Sequence, residues 1–340
     1  MLHGHGDDAY RYGVPVRANF SSNVPPDAEL AGLRKHLETV FERVRAYPEV
    51  AAESLAGQLA GQHGVAPAQV VVTAGATAAI YLIAQAYRGA DSAVIGPTFS
   101  EYADAARMHG HDVRQVGHAE LQTGNFGAAE LVWVCNPNNP TGEVLAREAL
   151  LEIVVRSPGV TFVLDLAYAA DCEESPVEAS DLAAHPNLIL VHSLTKRFGV
   201  PGLRLGYIVA ADPVARRLAA LLPPWSVGVL AQEAGAYLLR QRGPDAADRD
   251  ARLVEARRLA RALAAIPHVR VRPSATSFFL LELGRGRAAE LKSYLLRHHG
   301  LLVRDASNFP GLDERHVRVC AQTLEQNRWL EEGVAAWMRS

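Results

Sequence analysis

From residue 70 onward, short apolar runs alternate with longer amphipathic stretches. Seven runs read as strands: VVVT at 70–73, SAVIG at 92–96, and residues near 112–116, 130–135, 161–165, 187–193 and 206–210. Helical spacing falls between several of them, notably from Ala74–Thr77 to about Tyr87 and over 146–156. This alternation predicts an α/β fold whose mostly parallel, seven-stranded sheet is covered by helices on both faces. Before it, residues 1–27 read as irregular and 28–45 as a helix, with Leu30, Leu33, Leu37, Val40, Phe41 and Val44 on one side. After residue 210 the pattern turns helical over 212–222, 227–241 and 244–265. It then mixes strands (269–273, 277–283, 301–307, 316–320) with helices (288–298, 323–338). We therefore expect an N-terminal segment, 1–45, packed on a small α+β domain, 243–340, with a large domain at 46–242 between them.

Composition narrows the class. A chain of 340 residues, 49% hydrophobic and 21% charged, is ordinary for a globular protein. The net charge of −3 offers no basic footprint, so no nucleic-acid partner is expected. No apolar run approaches a membrane span, and no membrane partner is expected. MLHGHGDDAY lacks the basic-then-apolar pattern of a secretory signal. The three cysteines, Cys135, Cys172 and Cys320, match no metal spacing. A reducing, cytoplasmic setting is the expectation.

Chemistry concentrates where the predicted strands end. LVHSLTKRFGVPGLRLGY (190–207) runs from an apolar strand into Ser193, Lys196 and Arg204. Hydroxyls and guanidinium groups suit phosphate, and a lysine among cations has reason to lose its proton and act as a nucleophile. A Ser-x-x-Lys nucleophile of the β-lactamase kind also needs S-D-N and K-T-G, and neither tripeptide occurs. TFVLDLAY (161–168) ends in Asp165 and Tyr168, and VWVCNPNNPTG (132–142) ends in a turn with Asn139. After VVVT, the small residues Gly75, Ala76 and Thr77 open a helix, an arrangement that favours an anion. Ligands of such sheets bind beyond the carboxyl ends of the strands.

This order and spacing resembles the fold-type I pyridoxal 5'-phosphate (PLP) enzymes, the aspartate aminotransferase superfamily, over most of the chain. The resemblance implies PLP as cofactor and a role for each of these residues. Lys196 would join the cofactor's aldehyde and later move protons, with Asp165 on the pyridine nitrogen and Asn139 and Tyr168 on the 3' oxygen. Gly75, Ala76, Thr77, Ser193 and Arg204 would cradle the phosphate. Tyr102 would stack on the ring, with Phe99 as its competitor. Tyr47 would reach the phosphate of the other subunit of a homodimer. Arg318, in HVRVC, would take the substrate's α-carboxylate; the plain alternative is a surface charge at a strand edge.

Within the superfamily the chain resembles both histidinol-phosphate aminotransferase and L-threonine-O-3-phosphate decarboxylase, the latter of cobalamin biosynthesis. The decarboxylase family has a His-Gly-Gly element and an Asn-containing loop at the substrate phosphate; here His3-Gly4-His5-Gly6 and Asn23 stand in those places. His5 replaces a glycine of that element, so the contact falls to His3 or to His5. The family's R-D-x-S-x-F-x-G-L stretch is matched by residues 304–312, beginning at Arg304. A small phosphorylated amino acid or amine is the expected substrate. Decarboxylation is the first expectation and amino transfer the second. A PLP-fold binding protein without catalysis would have no need of Lys196, and two histidines alone make no strong metal site.

Overall fold

The computed structural model describes residues 6–26, 29–174, 176–241 and 246–340. His3, Gly4 and His5, and the boundary expected near 242, lie outside the described residues. In chain order the strands are β1 (Ala18–Asn19), β2 (Val70–Thr73), β3 (Asp91–Ile95), β4 (Asp112–Val116), β5 (Leu131–Cys135), β6 (Thr161–Asp165) and β7 (Leu188–Ser193). They continue with β8 (Gly206–Ala210), β9 (Val269–Val271), β10 (Phe278–Leu283), β11 (Leu301–Leu302), β12 (Arg304–Asp305) and β13 (His316–Cys320).

The large sheet has seven strands in the order β2-β8-β7-β6-β5-β3-β4. β8 is antiparallel to both of its neighbours, and the other pairs are parallel. The central strands LVWVC and LILVHS are apolar on both faces because helices cover both faces. On one face Leu164, Leu190 and Val134 join one core; on the other Val163, Val191 and Trp133 join a second. β4, at the edge, carries Asp112, Arg114 and Gln115 outward, which keeps that edge from pairing with another chain.

A second sheet, β12-β13-β10-β9, is antiparallel. Its core of Phe279, Leu281, Val317 and Val319 packs with Leu259, Leu291, Leu295 and Leu330, from the helices Ala246–Ala264, Ala288–His299 and Leu324–Arg339. The N-terminal segment joins this core. β1 pairs parallel with β11, and Phe20 is fully buried there, its N–H donating to Leu302 O at 2.8 Å.

Two local expectations need correction, and one alternative is set aside. The helix expected over 28–45 is Ala31–Val40, followed by a tighter 3-10 turn, Phe41–Arg45. The strand expected over 301–307 is two pieces, β11 and β12, which serve different sheets. HVRVC is no edge: β13 lies between β12 and β10, and Arg318 is buried there. The helix Glu53–His63 was not anticipated.

Candidate active site

One cavity of about 250 Å³ lies beyond the carboxyl ends of β2, β5, β6 and β7, and the small sheet and the N-terminal segment close it. The turn after β2 forms its anion-binding corner. Gly75 takes φ +91 there, and the helix Ala76–Ala86 begins directly after it. A side chain on Gly75 would stand 2.5 Å from Arg204 Nη2, so the guanidinium lies against the bare backbone of the turn. Gly206 of β8 permits the same closeness from the other side, since a Cβ there would meet Ala76 N at 2.5 Å. Ser193 and Thr195 add hydroxyls 2.8 Å apart, and Thr77 lines the cavity beside them. A helix N-terminus, two hydroxyls and a guanidinium are groups whose chemistry suits a phosphate.

Asp165 closes β6 with its carboxylate inside the protein. Its Oδ2 accepts the Tyr102 hydroxyl at 2.7 Å and its Oδ1 accepts the Ala167 N–H at 2.9 Å. Burial pushes its pKa up, and these two bonds and Lys196 pull the other way. A buried carboxylate calls for a cationic partner. Tyr102 is itself buried, its ring stacked on Trp133 at 5.8 Å and edge-on to Phe99 at 5.8 Å. Both candidates for stacking on a bound ring therefore line the cavity.

Lys196 sits on a single helical turn, Leu194–Arg197, and not in an open loop. Burial, then the positive charges of Arg318 and Arg204, lower its pKa to about 8. A lysine so placed is partly neutral near neutral pH, as a nucleophile must be. Its Nζ lies 5.9 Å from the centre of the Tyr168 ring, which meets Phe278 edge-on at 4.8 Å.

The Asn/Pro turn after β5 divides its labour. The Asn136 side chain exchanges two hydrogen bonds with the Leu145 backbone, at 2.8 and 2.9 Å. Asn138 binds Thr98, Pro97 O and Thr141 at 2.8–2.9 Å. With those two fastening the loop, Asn139 turns to the cavity, where its Oδ1 accepts from Arg318.

Arg318 also donates to Ser21 O, and its buried Nε has no partner among the described residues. Directly across the strand pair stands Arg304, held by Asn308 at 2.8 Å and lying over the Phe309 ring at 5.3 Å. Burial, then Arg318, push the Arg304 pKa down to about 10. Asn23 lines the same wall. Its carboxamide approaches the Tyr168 hydroxyl, yet it makes no hydrogen bond of good geometry. With Arg204 and Lys196, these guanidiniums outnumber the carboxylates of Asp165 and Asp7, so the cavity suits an anion with more than one charge.

Among the described residues singled out for the site, Tyr47 stands apart from this cavity and Gly75 lies behind its lining at Arg204, while His3 and His5 are outside the described residues. Tyr47 is 83% exposed and packs on Trp225. The structure adds Asp7, Ser21, Thr195, Asn308 and Phe309 to the lining. Thr195 and Phe309 lay inside strings already noted, whereas Asp7 carried no signal of its own.

Residues 17–332 match the family described as aminotransferase class I and II. The chain is 30% identical to histidinol-phosphate aminotransferase of a Thermoanaerobacter species, over 95% of this chain and 93% of that one. It is 29% identical to threonine-phosphate decarboxylase of Salmonella typhimurium, over 92% and 88%. The crystal structure of L-threonine-O-3-phosphate decarboxylase from Porphyromonas gingivalis superposes with a TM-score of 0.92 at 39% identity, covering 95% of this chain and all of that one.

Proposed function

The chain belongs to the class I and II aminotransferases, with pyridoxal 5'-phosphate as cofactor, and from that premise we propose that it decarboxylates L-threonine-O-3-phosphate to 1-amino-2-propanol phosphate, a step of cobalamin biosynthesis. The residues present fit the cofactor. A buried amine of lowered pKa, a buried carboxylate and a glycine turn under a guanidinium are the groups PLP asks of a protein. Lys196 would hold its aldehyde carbon and Asp165 its ring nitrogen, with Asn139 and Tyr168 at the 3' oxygen. Gly75, Ala76, Thr77, Ser193 and Arg204 would hold the phosphate, and Tyr102 would stack on the ring. Tyr47, exposed on its own subunit, would complete the phosphate site of a second copy in a homodimer. Bound, the cofactor supplies an electron sink for the bond broken at the substrate's Cα.

The observation that carries the substrate is the pair Arg304 and Arg318, buried and directly opposed on β12 and β13. Arg318 would fork the α-carboxylate and Arg304 the substrate phosphate, with Asn23 beside them. Fixing both ends of a short molecule sets which bond at Cα faces the ring. The Lys196 amine would then deliver the proton that takes the place of the departing CO₂. A second proposal, amino transfer of the histidinol-phosphate type, is supported by the 30% identical Thermoanaerobacter relative.

The test is to incubate the PLP-loaded protein with L-threonine-O-3-phosphate and no 2-oxo acid. Repeated turnovers releasing CO₂ and 1-amino-2-propanol phosphate are expected. No CO₂, with turnover of histidinol phosphate once 2-oxoglutarate is added, would install the aminotransferase instead.

A further inference from the structure

The loop over the substrate side of the cavity is tied down from outside the cavity. Asp8, a buried carboxylate, accepts Lys292 Nζ on both oxygens at 2.8 Å. The Tyr12 hydroxyl adds a third bond to Asp8 at 3.0 Å, and the Tyr12 ring lies 5.1 Å from the ammonium. Lys292 belongs to the helix Ala288–His299, is buried, and does not line the cavity. The two partners are 284 residues apart, so this pair is a tertiary fastening and not a product of local geometry.

The residues next to Asp8 touch the substrate wall. Gly6 packs so closely on Arg304 that a Cβ there would stand 2.9 Å from Arg304 Cδ and 2.9 Å from Ser21 Oγ. The Asp7 N–H donates to Ser21 Oγ at 3.0 Å, and the Asp7 carboxylate accepts from Asn19 at 2.5 Å. Arg304 projects from β12, which packs beside the same helix that carries Lys292. One helix thus braces both the strand that bears Arg304 and the loop that presses on its side chain.

We propose that Asp8 and Lys292 form a latch that holds residues 6–12 as a strap over the cavity and sets the position of Arg304 for the phosphate end of the substrate. This deepens the proposal of a phosphorylated substrate and rests on it. Neither latch residue touches the reacting atoms, so both are positioning residues. Opening the latch weakens binding of the phosphate end and leaves the rate of the bound substrate unchanged. Removing one partner strands the other charge in a buried place, and the strap swings out to solvate it. Replacing both partners by apolar side chains of similar size leaves no charge to solvate, and the strap returns.

Three PLP-loaded proteins decide this: wild type, Lys292→Met, and Asp8→Leu with Lys292→Met. Hydrogen exchange of the amides of residues 7–12, measured without any substrate, reports the latch itself. Steady-state kinetics with L-threonine-O-3-phosphate report its consequence. We expect faster exchange in Lys292→Met, with KM raised about tenfold and kcat within about twofold. Both return toward wild type in the double variant. Unchanged exchange in Lys292→Met overturns the latch whatever the substrate proves to be. Faster exchange with unchanged KM, or a KM that stays raised once the strap is protected again, overturns its link to the phosphate end. If the protein turns over no phosphorylated substrate, the kinetic arm fails with the proposed function, and the exchange arm still judges the latch. Thermal unfolding of each variant separates a merely destabilised fold, in which kcat, KM and melting move together.

Discussion

The two walls of the cavity are built differently. The wall proposed to hold the cofactor is built at the strand ends of one sheet, with Asp165 closing one apolar run and Asn139 and Lys196 following two others. The wall proposed to hold the substrate is assembled from chain segments that lie far apart in sequence: Ser21 meets Arg318 across 297 residues. The strands behind the first wall are held in ladders, and these fix where the turns that carry Asn139 and Lys196 begin. A wall gathered from chain ends depends on side-chain bonds such as Arg318 to Ser21 O and Arg304 to Asn308. The first should therefore govern chemistry, and the second affinity and choice of substrate.

Substitutions can break this contrast, and the largest effect is expected at Lys196. Lys196→Ala, which removes the proposed nucleophile and proton carrier, should cut kcat by about 10³-fold or more. Steady-state turnover checks it; a small loss would mean that the catalytic amine lies elsewhere. On the other wall, Arg318→Ala should cost about 2–5 kcal/mol in kcat/KM, because the substrate's α-carboxylate, as proposed, would lose a buried charged fork. Arg318→Lys should restore only part of this, since an ammonium cannot fork. Gly206→Ala should destabilise the fold by about 1–3 kcal/mol through overpacking against the turn at Gly75 and Ala76, read by thermal unfolding.

The smallest effect sharpens the comparison by joining the two walls. Because the Lys196 pKa is lowered to about 8, its modification by trinitrobenzenesulfonate in cofactor-free protein should level off above that pH. Below it, the neutral amine and the rate fall about tenfold per pH unit. Burial and positive neighbours disfavour the charged form, so Arg318→Ala, which removes one such neighbour, should move the midpoint upward. Peptide mass analysis of the labelled lysine gives the rates, and a midpoint unchanged or moved downward would disconnect the two walls.

The same contrast decides what could be read from the chain alone. β6 and β7 were legible because their apolar runs end in polar groups, so Asp165 and Lys196 stood out without neighbours. The bond from Tyr102 to Asp165 was not legible, for its partners lie 63 residues apart. The helix Glu53–His63 was missed because ESLAGQLAGQH, rich in glycine and alanine, shows little contrast between its faces. Residues 301–307 read as one strand because their polarity pattern is continuous, yet Leu301–Leu302 pairs with β1 and Arg304–Asp305 with β13. Which segments meet is a matter of topology, and periodicity carries no record of it.

The register of β12 against β13 has one more consequence. It sets the side chains of Arg304 and Arg318 face to face, two like charges directly opposed in a sheet, an arrangement that destabilises a strand pair. An anion held by either guanidinium would offset part of that opposition of charge. Ligand binding and the cohesion of the small sheet become linked quantities, because whatever binds only the folded form raises its stability. The protein is thus its own anion gauge. Its melting temperature should climb with a doubly charged anion that fits between the arginines, and climb less with a singly charged one.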